Sequence, residues 1–504
     1  MTFDLLNPAQ LFGALLPDVI LIAGSIVLML YSAWQPESQR HQRSVGIAAL
    51  ALIVSTLAAT LYMAFRGDYA TVGVIAVDSL RWTIDAVVLV AALGTVALAI
   101  EYNDRHGIPH GEMHVLVCFA TAGMMILAAG RDLMVIFLGI EILSVAVYVL
   151  AGMNRRSGKA AESALKYFLL GAFATGFLLY GMALIYGATG ATQLSAIAQR
   201  AVMSNPMLLV GVGLLTIGFA FKVAAAPFHM WAPDVYDGAP TPITAFMAAA
   251  VKAAAFAAIA RIFYESFQMI VVGWAPVFWG LAVASMVIGN VVALRQQNIK
   301  RMLAYSSIVH SGYLLVTVLA NTPVGSAAMV FYVLAYTLAT FGAFAVVTVM
   351  QDGSDRSSNI ADYAGLWHVR PMLAVGMSVF LLALLGFPVF GGLGFFAKWY
   401  VVSAALSSPL NLNFLAIILV VTSVISAGYY LQVVRVMFME PRPTDATPVN
   451  ITGPFTKAVL VGTAAAILGF GIMPGPLVTW ASSGSVPLVQ PENLSTRVII
   501  TAED

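Results

Sequence analysis

Long hydrophobic stretches recur along the whole chain and are separated by short polar segments. Each is roughly 20 residues long, which is the length that an α-helix needs to cross about 30 Å of hydrocarbon. The pattern predicts an all-α polytopic membrane protein with about 14 transmembrane helices. We number them spans 1 to 14, near residues 12–32, 44–65, 83–101, 113–130, 133–153, 162–187, 206–226, 242–264, 270–294, 301–320, 326–350, 372–404, 412–439 and 455–474.

The composition supports a membrane protein and narrows its chemistry. Hydrophobic residues make up 61% of the chain and charged residues 9%, whereas about 25% of a soluble domain is charged. The single cysteine, Cys118, excludes disulfides, CxxC zinc sites and cysteine-ligated clusters within this chain. The sequence contains no Gly-rich dinucleotide motif and no P-loop lysine motif. We therefore expect no metal, cofactor or nucleotide site here, and any redox chemistry must belong to partners.

The basic residues indicate how the chain is oriented. Cytoplasmic loops collect Lys and Arg, and the N-terminus lacks the basic start of a cleavable signal, so we expect span 1 to be retained. An even number of spans puts both termini on one side. If that side is outside, fourteen Lys and Arg residues fall on inner loops and six on outer segments. This count predicts that both termini lie on the non-cytoplasmic side.

Four ionisable side chains lie inside stretches that otherwise read as hydrocarbon: Glu141, Lys222, Lys252 and Lys398. An ionisable group at the bilayer centre costs at least about 2.5–3.5 kcal/mol on insertion scales, so it normally faces the protein interior, finds a partner and carries function. The chain has seven lysines, and three of them are in these positions. The four residues are therefore the candidate functional groups.

Spans 7 and 12 carry residues that interrupt helices. Lys222 stands just ahead of Pro227, and Pro388 with three glycines stands just ahead of Lys398. Proline removes a backbone donor and glycine lets the chain unwind, so we expect both helices to be broken within the membrane. The alternative is two merely kinked structural helices, but a lysine beside each interruption argues against it.

The two interruptions lie five spans apart and indicate an internal repeat. Paired Gly/Pro-interrupted spans are typical of transporters built from inverted repeats. We expect spans 4–8 (113–264) and spans 9–13 (270–439) to form two five-helix repeats of opposite orientation. Spans 1–3 (1–112) precede them, and span 14 with the C-terminal tail (455–504) follows, so that 1–504 forms a single membrane domain.

The buried charges suit a proton path. Burial favours the neutral form of a lysine, and a nearby carboxylate favours the charged form. A Glu141–Lys222 pair alongside Lys252 and Lys398 would therefore form coupled sites, which gain or lose a proton when one neighbour moves. The alternative is a static Glu141–Lys222 ion pair that locks helices together, but one acid cannot neutralise three bases.

Other polar residues are weaker candidates for positions along the path. Ser144 and Tyr148 lie on the helix face of Glu141. His310 falls in the middle of span 10, and both a hydrogen-bonded core histidine and a relay site fit this position.

Residues near the membrane surface have simpler interpretations. Lys166 follows Glu162 by four residues, and this spacing favours a surface ion pair or a snorkelling side chain over a proton carrier. His229 borders the first interruption and either lines an entrance or caps a turn. Lys300 and Arg301 are most simply anchors on the positively charged inner face.

Four segments of the chain resemble those of a known family, the antiporter-like membrane subunits of proton-pumping NADH:quinone oxidoreductase, respiratory complex I. The longest and most specific segment covers residues 222–242 and reads KVAAAPFHMWAPDVYDGAPTP. The others read KYFLLG at 166–171, KRMLAYSS at 300–307 and GFPVFGGLGFFAK at 386–398. The resemblance covers nearly the whole chain.

This resemblance implies a fold and a function. The family has fourteen helices, two inverted five-helix repeats, and broken seventh and twelfth helices. By position, Glu141 corresponds to the family's fifth-helix glutamate, and Lys222, Lys252 and Lys398 correspond to its bases in the seventh, eighth and twelfth helices. The resemblance implies a multi-pass protein of the bacterial cytoplasmic (inner) membrane with both termini on the periplasmic side. Its role would be to couple NADH-to-quinone electron transfer to proton pumping.

The resemblance also implies partners. FMN, iron–sulfur clusters, NADH and quinone would be held by partner subunits and not by this chain. Its neighbours would be other complex I membrane subunits, namely an M-type antiporter-like subunit and small J- and K-type subunits, together with lipids and no nucleic acid. The chain would then be a translocase subunit without catalytic residues of its own.

Two departures separate this chain from the L- and M-type members and from multisubunit sodium/proton antiporters. Those proteins usually carry a histidine-rich stretch after the Ala-Pro-Thr-Pro motif, where this chain reads ITAFM at 243–247. The long C-terminal lateral helix expected of the L-type member is also not seen in the sequence. Two rival functions stay open, a subunit of a secondary cation/proton antiporter and a scaffold that only seals the membrane arm.

The predicted mechanism moves protons without chemistry in this subunit. A charge change caused by electron transfer would reach it through a row of buried charges and would separate or close the Glu141–Lys222 pair. Lys222 would then pass its proton by water and Lys252 toward Lys398, which would release it on the outer side. Such coupling requires a two-state element that both ends bias, and the broken helices are the candidates.

Overall fold

A computed structural model describes residues 8–66, 73–351, 358–389, 392–443, 449 and 452–485. Within these residues the protein is all-α, and its only β-type pairings are isolated bridges. Twelve of the described helices are long and apolar enough to cross a membrane. Both chain ends, and the basic residues Arg356 and Arg497 that entered the orientation count, lie outside the described residues.

Spans 7 and 12 are each built from two helical pieces, which together with the twelve long helices confirms fourteen spans. Span 7 consists of Pro206–Lys222 and the short helix Ala232–Gly238, and span 12 of Pro371–Leu385 and Gly392–Leu406. The continuous spans are Leu16–Trp34 (1), Gln39–Phe65 (2), Ser79–His106 (3), Glu112–Ala129 (4), Leu133–Ala151 (5), Gly158–Thr189 (6), Thr241–Glu265 (8), Gln268–Ala293 (9), Ile299–Leu319 (10), Pro323–Met350 (11), Asn413–Met439 (13) and Pro454–Ile472 (14).

Side-chain caps fix where many spans begin. An Asp, Asn, Ser or Thr oxygen that accepts a hydrogen bond from a backbone N–H of the first turn satisfies a donor that the helix leaves free. Seven spans begin this way, after Ser38, Asp78, Asp132, Ser157, Asn205, Asn298 and Thr322. The helix ends therefore follow from polar residues that the hydrophobic pattern alone places only to within a few residues.

The most buried helices surround the lysine positions. Span 8 is buried along its whole hydrophobic length, and spans 10 and 11 are almost as enclosed. Spans 1, 2, 6 and 14 instead expose most of their residues at the periphery. Lys252 lies near the middle of span 8 and is 3% exposed. The division at 112, 264, 270, 439 and 455 into repeats and flanking parts stays a prediction.

Spans 6 and 7 approach each other so closely that small residues are required at the contact. A Cβ atom on Gly218 would lie 2.7 Å from the Cβ of Leu178, and one on Gly181 would lie 2.6 Å from the backbone nitrogen of Leu215. Small residues at such contacts let membrane helices pack backbone to backbone. This contact holds the lysine-bearing half of span 7 against span 6.

We predict that Gly218→Ala destabilises the protein by about 1–3 kcal/mol, the usual cost of overpacking a tight contact. The matched control is Gly213→Ala on the same helix, where an added Cβ meets nothing within 4 Å. Thermal unfolding of the two variants in the assembled, detergent-solubilised complex measures the difference. Equal melting temperatures would contradict the close packing of spans 6 and 7.

Candidate proton-transfer site

The first interruption begins directly after Lys222, the last residue of the helix Pro206–Lys222. Ala224 adopts a left-handed conformation with a φ of 55°, which costs an L-residue about 1–2 kcal/mol. The hydrocarbon core offers no water, so the backbone groups that the interruption frees must be satisfied within the protein. Trp231 Nε1 donates to Phe221 O (3.0 Å), Ser311 Oγ donates to Val223 O (2.5 Å), and Ala226 N donates to Ser285 Oγ (2.8 Å).

The buried Lys222 amine is held by span 5. Its Nζ donates to Ser144 Oγ at 2.6 Å and to Tyr148 OH at 3.3 Å, and it lies 5.3 Å from the centre of the Tyr148 ring. Ser144 and Tyr148, which the sequence placed on the face of Glu141, are thus direct partners of the lysine. The geometry assigns them to the same site as Lys222.

Glu141 lies one turn before Ser144 and is not in direct contact with the lysine. It is half-buried and accepts a hydrogen bond from Thr175 Oγ1 at 3.0 Å. Among the ion pairs of the described residues, none joins Glu141 to Lys222. The expected pair is open in this structure because Ser144 and Tyr148 bind the amine and Thr175 binds the carboxylate.

Lys252 follows a local change in helix type. Residues Met247–Val251 form a π-helical turn, and the α-helix resumes at Lys252. Such turns are rare inside α-helices and are frequent at functional sites. The Lys252 Nζ donates to Ser307 O at 2.5 Å and to Ser307 Oγ at 2.6 Å, while Tyr336 OH donates to the same Oγ at 2.9 Å.

Two serines on span 10 connect the first interruption to Lys252. Ser307 and Ser311 are four residues apart and therefore share one helix face. The Ser311 Oγ lies 2.5 Å from Val223 O, next to Lys222, and 3.2 Å from Ser307 O. This pair of hydroxyls bridges the neighbourhoods of the first two lysines.

Lys398 lies on the far side of the second interruption. The helix Pro371–Leu385 ends at Gly386, whose φ of 80° is left-handed. The Lys398 Nζ donates to the freed Leu385 O at 2.7 Å and to Ser423 Oγ at 2.6 Å, and it lies 5.0 Å from the centre of the Tyr313 ring. Residues 390–391 of this interruption lie outside the described residues.

His310 lies between Lys252 and Lys398. Its Nδ1 is 2.7 Å from Tyr332 OH, and its Nε2 is 3.3 Å from Tyr430 OH, which also bonds Ser306. His310, Tyr336 and Lys398 line a cavity, and the volume accessible to the centre of a water molecule in it is about 10 Å³. That space suits roughly one water molecule. The residues therefore form a row from Lys222 to Lys398 with room for water at its last step.

The three lysines share one kind of environment. Each buried amine binds a serine hydroxyl and faces a tyrosine ring, at Tyr148, Tyr336 and Tyr313 respectively. Among the ion pairs of the described residues, none involves these three amines. Because no carboxylate fixes the charge, the arrangement accommodates both a protonated and a neutral lysine. It is suited to passing a proton and not to locking helices.

The surface candidates form a separate ion-pair network. Lys166 Nζ lies 2.6 Å from Glu162 Oε1, as the i,i+4 spacing predicts, and 2.8 Å from Asp234 Oδ2. Arg301 binds the other oxygen of Asp234 at 2.7 Å. His229 is half-buried, and its ring centre lies 6.4 Å from that of Tyr305 on span 10. These residues tie the end of span 7 to spans 6 and 10.

Lys300 has a structural role that the sequence did not indicate. It is 2% exposed, and its Nζ donates to Asp237 O and Ala239 O at 2.8 Å each. Both carbonyls lie at the C-terminal end of the helix Ala232–Gly238, where carbonyls lack helical partners. Lys300 therefore caps this short helix instead of acting only as a surface anchor.

Sequence reasoning missed several groups that complete the site. The missed partners of the lysine row are Thr175, Ser307, Ser311, Tyr332, Tyr336, Ser423 and Tyr430. Two signals were present in the sequence: Ser307 and Ser311 on span 10, and Tyr332 and Tyr336 on span 11, each pair four residues apart. The buried charges of Arg81 and Asp85 at the start of span 3 were also missed.

Comparisons with known proteins agree with this fold and site. The transmembrane family model described as NADH:quinone oxidoreductase/Mrp antiporter matches residues 130–426. NADH-quinone oxidoreductase subunit N of Gemmatimonas aurantiaca is 47% identical, over 95% of this chain and 94% of that protein. The protein of the same name from Trichlorobacter lovleyi is 42% identical, over 94% of this chain and 98% of that protein.

Solved structures show the same likeness. A chain of respiratory complex I from Thermus thermophilus is 34% identical with a TM-score of 0.78, covering 93% of this chain and 100% of that chain. A chain of the Mrp complex from Dietzia sp. has a TM-score of 0.82, covering 95% of this chain and 97% of that chain, but only 21% identity, so it shows the fold alone. Fold and site thus define an antiporter-like membrane protein. Within that class, the chain belongs to the NADH-quinone oxidoreductase subunit N family.

The shared hydroxyl of Ser307 makes a specific prediction. Ser307→Ala removes an acceptor from both Lys252 and Tyr336, and loss of a hydrogen bond to a charged group costs about 1.5–3 kcal/mol. The control is Ser378→Ala, whose Oγ donates only to Ala374 O of its own helix, at 2.8 Å. Thermal unfolding of the assembled complex should show the larger loss for Ser307→Ala. Indistinguishable melting curves would contradict the bond to Lys252.

Proposed function

We propose that this chain carries protons across the membrane along a row formed by Glu141, Lys222, Lys252 and Lys398. The chain belongs to the subunit N family, so it is a membrane subunit of the proton-translocating NADH-quinone oxidoreductase. The observation that carries the proposal is that three buried amines follow one another across the molecule and bind hydroxyls and carbonyls in place of carboxylates.

In this proposal the distance between Glu141 and Lys222 controls whether Lys222 holds its proton. When the carboxylate and the amine approach, Lys222 is favoured in its charged form, and when they separate the proton is released toward Lys252. Ser311 and Ser307 lead from the first interruption to Lys252. His310 and water would then serve the step to Lys398, with Ser144 and Tyr148 orienting Lys222. Lys166 of span 6 is engaged in the ion-pair network with Glu162 and Asp234, and His229 lies in the interruption between the two helical pieces of span 7.

The electron-transfer chemistry belongs elsewhere in the complex under this proposal. NADH, FMN, iron–sulfur clusters and quinone are assigned to partner subunits, and this chain receives only a change of charge or conformation. The expected neighbours are an M-type antiporter-like subunit, small J- and K-type subunits and lipids. A charge in an adjacent subunit would act on the half-buried Glu141.

Alanine variants of the central lysines test the proposal. In membrane vesicles that contain the whole complex, Lys222→Ala and Lys252→Ala should each lower the protons pumped per NADH oxidised. Proton transfer through this subunit should slow by at least about 100-fold, since positioned acid–base groups contribute roughly 10²–10⁴-fold. A pH-sensitive dye together with NADH absorbance measures both quantities.

The control for these variants is Lys457→Ala, at an exposed lysine of span 14. It should pump as the unmodified complex does. If both central variants assembled and pumped normally, the chain would be a scaffold. If vesicles with this chain but without its redox partners exchanged sodium for protons, it would instead be a secondary antiporter subunit.

We also propose that both termini lie on the periplasmic side of a bacterial cytoplasmic membrane. The basic-residue count supports this orientation, because it places most Lys and Arg on the inner loops. The loop between spans 1 and 2 then faces the cytoplasm, and the loop between spans 6 and 7 faces the periplasm.

Cysteine labelling checks this orientation. The only native cysteine, Cys118, is fully buried, so the background reaction should be small. Ser204→Cys, in the exposed loop before span 7, should react with a membrane-impermeant maleimide in intact cells. Gln35→Cys, exposed after span 1, should react only in inverted vesicles. The opposite pattern would reverse the orientation.

A further inference from the structure

A second group of buried charges lies at the membrane face where spans 1 and 3 begin. Arg81 of span 3 binds Asp18 of span 1 through Nη2, and its Nε lies 3.5 Å from Asp85 Oδ2, one turn further along span 3. The side chains of Arg81 and Asp85 are fully buried, and that of Asp18 is 5% exposed. Two carboxyl groups therefore share one guanidinium away from water.

The two carboxyl groups are not equivalent. Asp18 receives a direct hydrogen bond from Arg81. Neither oxygen of Asp85 accepts a hydrogen bond from any described residue, although the side chain is completely enclosed. Arg81 Nη1 donates to Ala76 O at 2.9 Å, and Nε, the guanidinium nitrogen paired with Asp85, makes no hydrogen bond within the described residues. Asp85 is thus a buried carboxyl group that shares the Arg81 guanidinium with Asp18 and accepts no hydrogen bond from the described residues.

The charges around this group do not balance. With both acids ionised, the Asp18–Arg81–Asp85 cluster would hold a net negative charge in a region that strongly disfavours an uncompensated ion. The other charged group that acts on it is Asp78, which caps span 3 and adds further negative potential. Among the described ion pairs, no second cation reaches Asp18 or Asp85.

A neighbouring cluster provides the contrast. Asp78 and Glu265 face Arg261 and Arg131, with Arg261 Nη1 at 2.7 Å from Asp78 and 3.0 Å from Glu265, and Arg131 Nε at 2.9 Å from Glu265. This cluster contains two acids and two bases and is therefore neutral. It joins spans 3, 5 and 8 at the same membrane face and requires no additional proton.

We propose that Asp18, Arg81 and Asp85 form a proton-binding site that holds one proton at neutral pH, chiefly on Asp85. The site is independent of the lysine row, because no hydrogen bond of the described residues connects it to Lys222, Lys252 or Lys398. Its ligand is H⁺, and its position near the start of span 1 places it close to one aqueous phase. It gives this face of the subunit a proton store beyond the function proposed above.

Infrared spectroscopy of the intact complex tests this site. A protonated carboxyl group has a C=O stretching band that a carboxylate lacks, and the band shifts in D₂O. Asp85→Asn should remove one such band per chain. Asp18→Asn should also remove it, because Asp85 would then be the only acid beside Arg81 and would ionise. Arg81→Gln should increase the band, since both acids would then be neutral.

Stability supplies an independent readout. Asp85→Asn replaces a neutral acid by a neutral amide, so the melting temperature of the assembled complex should hardly change. Asp78→Asn, in the neutral cluster of Asp78, Glu265, Arg261 and Arg131, removes the carboxylate that pairs with Arg261 and should clearly lower the melting temperature. Retention of the infrared band in both Asp85→Asn and Asp18→Asn would overturn the proposal. So would failure of both variants to assemble, because it would show that the ionised acids are required.

Discussion

The absence of water in the hydrocarbon core is the constraint on which the rest of this structure depends. Two spans are broken at membrane depth, so carbonyl and amide groups are exposed that only the protein can satisfy. At the first break a serine of span 10 binds the carbonyl of Val223, and at the second Lys398 itself binds the carbonyl of Leu385. A charged amine donates a stronger hydrogen bond than a neutral one. The proton state of Lys398 and the stability of the second break are therefore coupled through one hydrogen bond.

The charged residues divide by chemistry into two roles. The buried arginines Arg81 and Arg261 bind carboxylates near the membrane face, and arginine stays protonated under all physiological conditions. The three central lysines bind hydroxyls and carbonyls, which leave an amine free to lose its proton. Lysine changes its charge readily when buried, whereas arginine does not. The arginines thus supply fixed charges that hold spans together, and the lysines supply charges that can change.

The hydrophobic pattern was sufficient to predict the fourteen spans, and the prolines and glycines beside Lys222 and Lys398 were sufficient to predict both breaks. The partners of the lysines were not predictable, because Ser and Tyr occur throughout membrane helices and only the packing of spans 5, 10, 11 and 13 selects the ones that meet an amine. Glu141 illustrates the same limit: its spacing from Ser144 was correct, but the choice between Lys222 and Thr175 as its partner depends on side-chain geometry. Asp85 was missed because it lies at the edge of an apolar stretch.

The narrowness of the route between Lys252 and Lys398 bears on how a pump avoids leaking. His310 and Tyr336 line the cavity beside Lys398. The volume accessible to the centre of a water molecule in this cavity is only about 10 Å³. A continuous file of water would conduct protons in both directions at all times and would dissipate the gradient. A step that holds roughly one water molecule conducts only when that molecule is present. The cavity is lined by residues of both helical pieces of span 12, Ala383 and Leu384 on one side and Gly394, Ala397 and Lys398 on the other. In the proposed proton row, hydration of this step would therefore depend on the conformation of the neighbouring helices.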